Sequence, residues 1–337
     1  MHLCVVFTEL CINAIIPNRM DIKPQIDLNV TNDCNFRCVH CGFDSGHVKL
    51  GEMSLDFAKT VLIDFKKIGG LKVDFTGGEP LLNKDLINMV KFAASSGLQT
   101  KIVTNGSLCS KEKLEQLKAV GLNGISVSID GSDYFNFNKV RPTTETLYTK
   151  VVQCVKDSVQ LGLYTKINTV VFKTNFDDLE NIIRQAIVLG CGEIRFCFFA
   201  PLGRGSSEIE LAADPEKWLA FTKEKFEQYA DKIKIVYALP VLNESCDYKT
   251  DCLVKRLNFL QIFPNGDAFP CSIMASLYKP IINLNKCTLE NFWLNKDRLA
   301  QEYFEENIRP LFDRQGGCVH FKIKDGFQFV CQSRKFN

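Results

Sequence analysis

Residues 54–75, SLDFAKTVLIDFKKIGGLKVDF, predict a helix followed directly by a strand. The apolar side chains of the first part recur at the i, i+3, i+4 and i+7 spacing of one helix face, namely Ala58, Val61, Leu62 and Phe65. Ser54 is a residue type that caps helix N-termini, and Gly69 is a type that follows helix C-termini. The apolar segment at 71–75 suits a buried strand, so this stretch is one unit of an α/β fold.

The same alternation continues on both sides of this unit. Apolar strands are predicted at 25–30, 71–75, 99–104, 125–129, 164–172 and 193–199. An amphipathic helical pattern separates each strand from the next, which favours parallel strands with right-handed crossovers. Eight such units would close a complete barrel. Six units therefore predict a partial (β/α)6 barrel of the TIM type with an open side.

The pattern changes after Pro201. A helix near 214–231, short strands and hairpins predict a small α+β domain in the C-terminal part. We expect an N-terminal extension at 1–19, the partial barrel at 20–205 and the C-terminal domain at 206–337. The extension is apolar but interrupted by Glu9 and Asn13, so we expect neither a secretion signal nor a membrane span. A dispensable extension is favoured, and a membrane-surface anchor is the alternative.

Composition excludes some classes of partner. The formal net charge is only +2 and no long run of one sign occurs, so no nucleic-acid partner is expected. The chain contains 15 cysteines, an odd number in a chain too large to need a disulfide framework. We therefore expect metal or cluster ligation in a reducing compartment, the cytoplasm.

Three of these cysteines, Cys34, Cys38 and Cys41, stand in the sequence CNFRCVHC directly after the first strand. Thiolates at this spacing can hold three irons of a [4Fe–4S] cluster, which ordinarily takes four cysteines. The fourth iron would then be open to another ligand. A structural zinc site is the alternative, although no second cysteine pair lies nearby.

The segment Gly77-Gly78-Glu79-Pro80 directly follows the second strand. Two glycines allow close approach to the backbone, and the carboxylate can pair with an ammonium group. The carboxyl ends of barrel strands are where barrel sites lie, so the position suits a binding site. An ordinary turn is the alternative.

The fourth predicted strand has one polar face. Ser126, Ser128 and Asp130 alternate with apolar neighbours, and Lys166 and Asn168 do so in the fifth strand. A polar face within a parallel strand is costly unless it lines a ligand cavity. The pattern therefore indicates a polar cavity inside the barrel.

Together with the three cysteines, these segments resemble the radical S-adenosylmethionine (SAM) superfamily. The resemblance extends over residues 26–205 and includes TNG at 104–106 and SVSIDG at 126–131. It implies that the cluster binds the methionine end of SAM, that the GGEP segment contacts its amino group and that Ser128 contacts its ribose. The cofactor contacts that it implies are His40, Gly77, Gly78, Glu79, Asn105, Ser128, Arg141, Asn168 and Ala200.

The resemblance also implies a reaction. One electron, supplied by a donor such as flavodoxin or ferredoxin, would cleave SAM to methionine and a 5′-deoxyadenosyl radical, which abstracts hydrogen from the substrate. Such enzymes are oxygen-sensitive. The substrate class favoured is a peptide, as in peptide maturases, or a related small molecule or sugar.

The C-terminal cysteines suggest a second cluster. Cys252, Gly266 and Cys271 form a C-x13-G-x4-C hairpin pattern that resembles the opening of auxiliary-cluster domains of the twitch or SPASM type. The shorter variant of such domains holds one auxiliary [4Fe–4S] cluster. The implied ligands are Cys252, Cys271, Cys318 and Cys331, with Cys246 or His320 as a replacement for one of them.

Two alternatives remain. The GTP 3′,8-cyclase of molybdenum-cofactor biosynthesis is similar at FTGGEPLLNKDL (75–86), LKAVGL (117–122) and KINTVV (166–171). Its second cluster, however, uses a C-x2-C-x13-C arrangement that differs from the spacing here. A non-enzymatic zinc or electron-transfer protein is the other alternative, and it explains neither the GGEP segment nor the polar strand.

Overall fold

The computed structural model describes residues 24–237, 240–242, 257–271, 275, 279–307, 309 and 327–329. The predicted extension at 1–19 lies outside these ranges. So do most of the C-terminal residues predicted to hold a second cluster, namely Cys246, Cys252, Cys318, His320 and Cys331.

In these described ranges, ten strands form one sheet in the order β11-β10-β9-β1-β2-β3-β4-β5-β6-β7. All neighbours from β1 to β7 are parallel, as the helical crossovers predict. A separate antiparallel pair contains β8 and β12. The strands are β1 Gln25–Thr31, β2 Lys72–Gly77, β3 Gln99–Thr104, β4 Gly124–Ser128, β5 Tyr164–Val171, β6 Glu193–Phe198, β7 Lys234–Tyr237, β8 Pro240–Leu242, β9 Phe259–Ile262, β10 Asp267–Phe269, β11 Ile282–Asn283 and β12 Phe327–Phe329.

Helices connect the parallel strands. The connecting helices are α1 Leu55–Lys67, α2 Leu86–Ser95, α3 Lys111–Ala119, α4 Tyr134–Val140, α5 Glu145–Gln160, α6 Leu179–Val188 and α7 Pro215–Tyr229. After β11 follow α8 Leu289–Leu294 and α9 Lys296–Asn307. The predicted cap of α1 is confirmed, because the Ser54 side chain accepts a hydrogen bond from Phe57 N. None of the helices in the described ranges is both long and apolar enough to cross a lipid bilayer.

Alternation along each strand separates the core from the barrel interior. On β1, Ile26 and Leu28 are buried in the hydrophobic core that the sheet forms with its helices. Asp27 and Asn29 alternate with them and face the interior. The sheet begins at β11 and ends at β7, so the predicted partial barrel with an open side is confirmed.

The C-terminal part contributes strands to the same sheet. β7 pairs with β6, and β9 pairs with β1 on the other side, both in parallel. The division of the chain at residue 205 thus stays a prediction, because strands from both sides of it are hydrogen-bonded to each other. The predicted hairpin is confirmed: β9 and β10 are antiparallel, and Gly266 between them has a φ of 85° that suits glycine.

Candidate active site

Residues 32–50, here called the cysteine loop, follow β1 and carry the three predicted cluster ligands. Cys34, Cys38 and Cys41 are not in disulfides. Two of the sulfurs accept backbone hydrogen bonds, from Phe36 N to Cys34 Sγ (3.4 Å) and from Ser45 N to Cys41 Sγ (3.3 Å). The loop is thus folded around its sulfur atoms.

The donor set suits an iron–sulfur cluster. Three thiols from one loop match the number that leaves one iron of a [4Fe–4S] cluster open. Among the described residues, no three side chains of His, Cys, Asp or Glu lie close enough together to hold a single metal ion.

Burial raises the pKa of Cys34 and raises that of Cys38 to about 11. Burial acts the same way on Cys41, but hydrogen bonds from Ser45 and Phe43 outweigh it, so the pKa of Cys41 is lowered.

The two glycines of the GGEP segment lie against the start of the cysteine loop. Gly78 N donates to Thr31 O and Glu79 N donates to Asp33 O, both at 2.8 Å. A Cβ atom on Gly77 would lie 2.2 Å from Thr31 O, and one on Gly78 would lie 2.2 Å from Asp33 O. The close approach that the glycines allow is therefore to the chain that leads into Cys34.

The Glu79 side chain is fully buried and joins two neighbouring strand ends. Its carboxylate accepts hydrogen bonds from Thr104 Oγ1 (2.7 Å), Asn105 N (2.8 Å) and Leu81 N (3.2 Å). Burial raises the pKa of Glu79 to about 7, although these hydrogen bonds oppose the shift. Pairing of this carboxylate with the ammonium group of SAM stays a prediction, since three donors of the chain itself already occupy it.

Asn105 connects the end of β3 to the cysteine loop. Its Nδ2 donates to Asn35 Oδ1 at 2.9 Å and lies 3.9 Å from Cys34 Sγ. Its Oδ1 accepts from Ser107 N and Ser107 Oγ, and Asn35 Nδ2 donates to the same hydroxyl. The predicted cofactor residue Asn105 is therefore held beside Cys34.

A charged pair lies on the other side of the loop. Arg141 Nε donates to Asp130 Oδ2 at 2.6 Å, and Arg141 Nη1 donates to Cys38 Sγ at 3.4 Å. His40 Nε2 is 3.5 Å from the same Asp130 oxygen. Burial, aided by the charge of Arg141, lowers the pKa of His40 to about 4, which favours the neutral ring. His40 and Arg141, two predicted cofactor residues, thus share one carboxylate next to Cys38.

Ser128 and Asn168 are brought together by strand register. They are paired neighbours on β4 and β5, and both are half-buried on the interior face. Ala200 follows β6 and is also half-buried. Deeper on the same interior face, Ser126 Oγ and both amide atoms of Asn29 are buried without a hydrogen-bond partner. Such groups are costly unless a ligand satisfies them, so the interior suits a polar cofactor.

Sequence reasoning missed Arg204, which lies at the C-terminal end of the predicted barrel and belongs to none of the motifs. Arg204 Nε donates to Cys38 O (3.0 Å), Arg204 N to Cys41 O (2.9 Å) and one Nη to Ser45 O (3.2 Å). Its other Nη is 3.1 Å from Asp44 Oδ1. Arg204, in the segment after β6, thus contacts four residues of the cysteine loop, and we call this set of contacts the clamp. The position of Arg204 just beyond the carboxyl end of a parallel strand is the signal that could have identified it.

Comparison with known proteins agrees with this geometry. The sequence profile of the radical SAM superfamily matches residues 28–186, which run from β1 into α6. This protein is a radical SAM enzyme. Its superfamily binds a [4Fe–4S] cluster and SAM, and the three cysteines and the polar interior lie within or beside the matched segment.

Relatives of this radical SAM enzyme have several names. An AdoMet-dependent heme synthase of Methanosarcina barkeri is 25% identical over 91% of this chain and 90% of its own length. A PqqA peptide cyclase of Bradyrhizobium diazoefficiens is 27% identical over 74% of this chain and 67% of its own. Proteins named probable GTP 3′,8-cyclase are also similar.

A solved structure has the same fold. SuiB of Streptococcus suis, in a structure described as bound to the precursor peptide SuiA, superimposes with a TM-score of 0.68 at 16% identity. The match covers 85% of this chain and 67% of that protein.

Proposed function

We propose that the enzyme holds its [4Fe–4S] cluster on Cys34, Cys38 and Cys41 and binds SAM at the adjacent carboxyl ends of β1 to β6. The observation that carries this proposal is that one loop holds three thiols that are not in disulfides. Asn105, Arg141 and Arg204 all contact that loop. When bound, the cluster would supply the electron that cleaves SAM.

The chain's own residues would position these groups. Glu79 fixes the turn after β3 and thereby Asn105. The backbone of Gly77 and Gly78 packs on one side against Thr31 and Asp33, and its other side would contact the amino group of SAM. Ser128 and Asn168, adjacent on β4 and β5, would contact the ribose, and the unsatisfied Asn29 and Ser126 give the interior further polar contacts.

We propose a peptide as the substrate. Within the described residues the sheet ends at β7 and β11 without closing, which would leave a side through which a long chain can enter. Similarity to a PqqA peptide cyclase over 74% of this chain supports a peptide substrate. We propose in addition that an electron donor of the flavodoxin or ferredoxin type reduces the cluster.

A heme-type substrate is the second candidate. It is favoured by the similarity to a heme synthase, which extends over 91% of this chain and 90% of that relative. The GTP cyclase alternative has weaker support, because the cysteine spacing in the C-terminal part differs from that of the cyclase.

We also propose the second cluster, on Cys252, Cys271, Cys318 and Cys331. Only Cys271 is within the described residues, where it is buried directly after β10. Its position at the end of the confirmed hairpin supports the assignment. Cys287, which also lies in the described part, is half-exposed before α8.

One experiment compares the substrate classes. Anaerobically reconstituted enzyme, SAM and dithionite are incubated with short peptides prepared from cells grown in deuterated medium, with Fe-coproporphyrin III, or with GTP. We expect deuterium in the 5′-deoxyadenosine only from the peptide pool. Stimulated SAM cleavage by Fe-coproporphyrin III without deuterium transfer from peptides would support the second candidate. No 5′-deoxyadenosine under any condition would contradict the radical SAM site itself.

A further inference from the structure

Arg141 is a charged side chain that contacts the cysteine loop at a predicted cluster sulfur. Arg141 Nη1 donates to Cys38 Sγ at 3.4 Å. The guanidinium is only 8% exposed and Cys38 is equally buried. Water therefore screens this contact little.

Asp130 holds the guanidinium in this orientation. Its Oδ2 accepts from Arg141 Nε at 2.6 Å, and its Oδ1 accepts from Val170 N at 2.7 Å. The carboxylate is fully buried. Asp130 thus anchors Arg141 to β5. The guanidinium contacts the negative charge of Asp130 through Nε and the sulfur of Cys38 through Nη1.

Hydrogen bonds to cluster sulfurs and local charge both set the reduction potential of an iron–sulfur cluster. One-electron reduction from a low-potential donor adds one negative charge to the cluster and breaks no bond. A cation that donates to a ligand sulfur stabilises the reduced state, and a nearby anion opposes it.

We propose that the Arg141–Asp130 pair sets the reduction potential of the SAM-binding cluster through Cys38, with Arg141 raising it and Asp130 limiting the rise. The inference rests on the proposed function in one respect, namely that Cys38 is a cluster ligand. It assigns to Arg141 a role as a positioning residue that is separate from any contact with SAM.

The test measures the midpoint potential of the reconstituted cluster by electron paramagnetic resonance during dithionite titration, at one pH and without SAM. We expect Arg141→Gln to lower the potential, because it removes the cation. Asp130→Asn should raise it, because it leaves the guanidinium uncompensated. A tenfold change in the ratio of reduced to oxidised cluster corresponds to about 59 mV for a one-electron couple.

Matched variants separate this role from a structural one. Arg141→Lys keeps the charge and should restore much of the parent potential. Arg184→Gln removes a surface arginine that pairs with Glu180 instead, and it should leave the potential unchanged. If Arg141→Gln fails to fold, the other two variants still test the proposal, because Asp130→Asn should lie above the parent potential while Arg141→Lys should stay close to it.

The outcomes distinguish the inference from its premise. Cluster-loaded variants with unchanged potentials, or with shifts of the same sign for Arg141→Gln and Asp130→Asn, would overturn the inference and leave the proposed function intact. Parent enzyme that binds no cluster at Cys38, shown by unchanged iron content in Cys38→Ala, would overturn both.

Discussion

The two places predicted to hold clusters differ in what surrounds their cysteines. At the cysteine loop, backbone N–H groups and the Arg141 guanidinium donate to the sulfurs. Cys271 is instead 4% exposed among the rings of an aromatic cluster, which comprises Phe263, Phe269, Tyr303 and Phe304. The first environment supplies hydrogen-bond donors to the sulfurs, which offset part of the effect of burial on their thiols, whereas the second packs aromatic rings around its sulfur.

The comparison also shows how the two places are connected. Phe43 belongs to the cysteine loop, and its ring packs edge-on against Phe263 with centroids 5.6 Å apart. The aromatic cluster therefore supports the loop from the C-terminal side.

The largest effect is expected from removal of the first site. In Cys34→Ala/Cys38→Ala/Cys41→Ala, 5′-deoxyadenosine formation should be abolished, because no sulfur remains to hold the cluster that reduces SAM. Iron should fall from about eight to about four per chain, at roughly four for each cluster. Chromatographic assay and iron analysis check both values. Unchanged turnover would refute the first site, and complete loss of iron would refute the second.

The second site should lose one cluster and no more. Cys271→Ala is expected to remove about four irons per chain while the first cluster remains detectable by electron paramagnetic resonance. Cys191→Ala is the matched control, since Cys191 is similarly buried and burial raises its pKa to about 12. Equal iron content in Cys271→Ala and the control would count against Cys271 as a ligand.

Replacement of Glu79 should weaken SAM binding without loss of iron. Glu79→Ala removes a buried acceptor of three hydrogen bonds within the chain. It also removes the carboxylate predicted to pair with the ammonium group of SAM, and a charge-assisted contact of this kind contributes about 1.5–3 kcal/mol, or roughly ten- to a hundredfold in affinity. Equilibrium dialysis with SAM measures it. Glu79→Gln keeps the shape and should retain more affinity, and equal binding by all three proteins would exclude the role.

Glu79 also predicts a pH dependence of stability. Its pKa rises from 4.5 in the unfolded chain to about 7 in the fold, so the folded state favours the protonated form. The contribution of Glu79 to the free energy of unfolding should therefore fall as pH rises from 4.5 to 7 and then level off. Denaturant titration of cluster-free protein checks this against Glu79→Gln, in which the decline should be smaller.

The smallest effect is expected at the clamp. Arg204→Ala removes side-chain hydrogen bonds to Cys38 O and Ser45 O but no cluster ligand. We expect a severalfold faster loss of iron to a chelator, since the loop can open more readily. Arg184→Ala on the surface should behave as the parent. Equal rates in the two variants would mean that the clamp does not restrain the loop.

Much of the fold could be predicted because its signals are local. The strand at 99–104 and the cap Ser54 follow from periodicity and residue type within a few positions, and both are observed. In the C-terminal part, α8 and α9 are separate helices because the chain leaves helical geometry at Asn295. Pairing of β9 with β1 could not be foreseen, since no local pattern records a partner so distant in sequence.

In the candidate site, too, local motifs could be predicted from the sequence and contacts between distant segments could not. The cysteine triad and GGEP were evident because their members are adjacent in sequence. The buried link from Glu79 to Thr104 and the grip of Arg204 on Cys38 depend on which strand ends become neighbours. Glycine at 77 and 78 suggested space for a ligand, yet the space is filled by backbone at Thr31 and Asp33.

Pairing of β1 with β9 has a consequence for biosynthesis. Gln25 and Phe259 are opposite each other in register, so one edge of β1 stays open until the ribosome has made most of the chain. An open strand edge exposes unpaired N–H and C=O groups to other chains, and distant pairing slows folding. The nascent protein would therefore present the strand that carries its cysteine loop to chaperones or cluster-delivery factors before the barrel edge is covered.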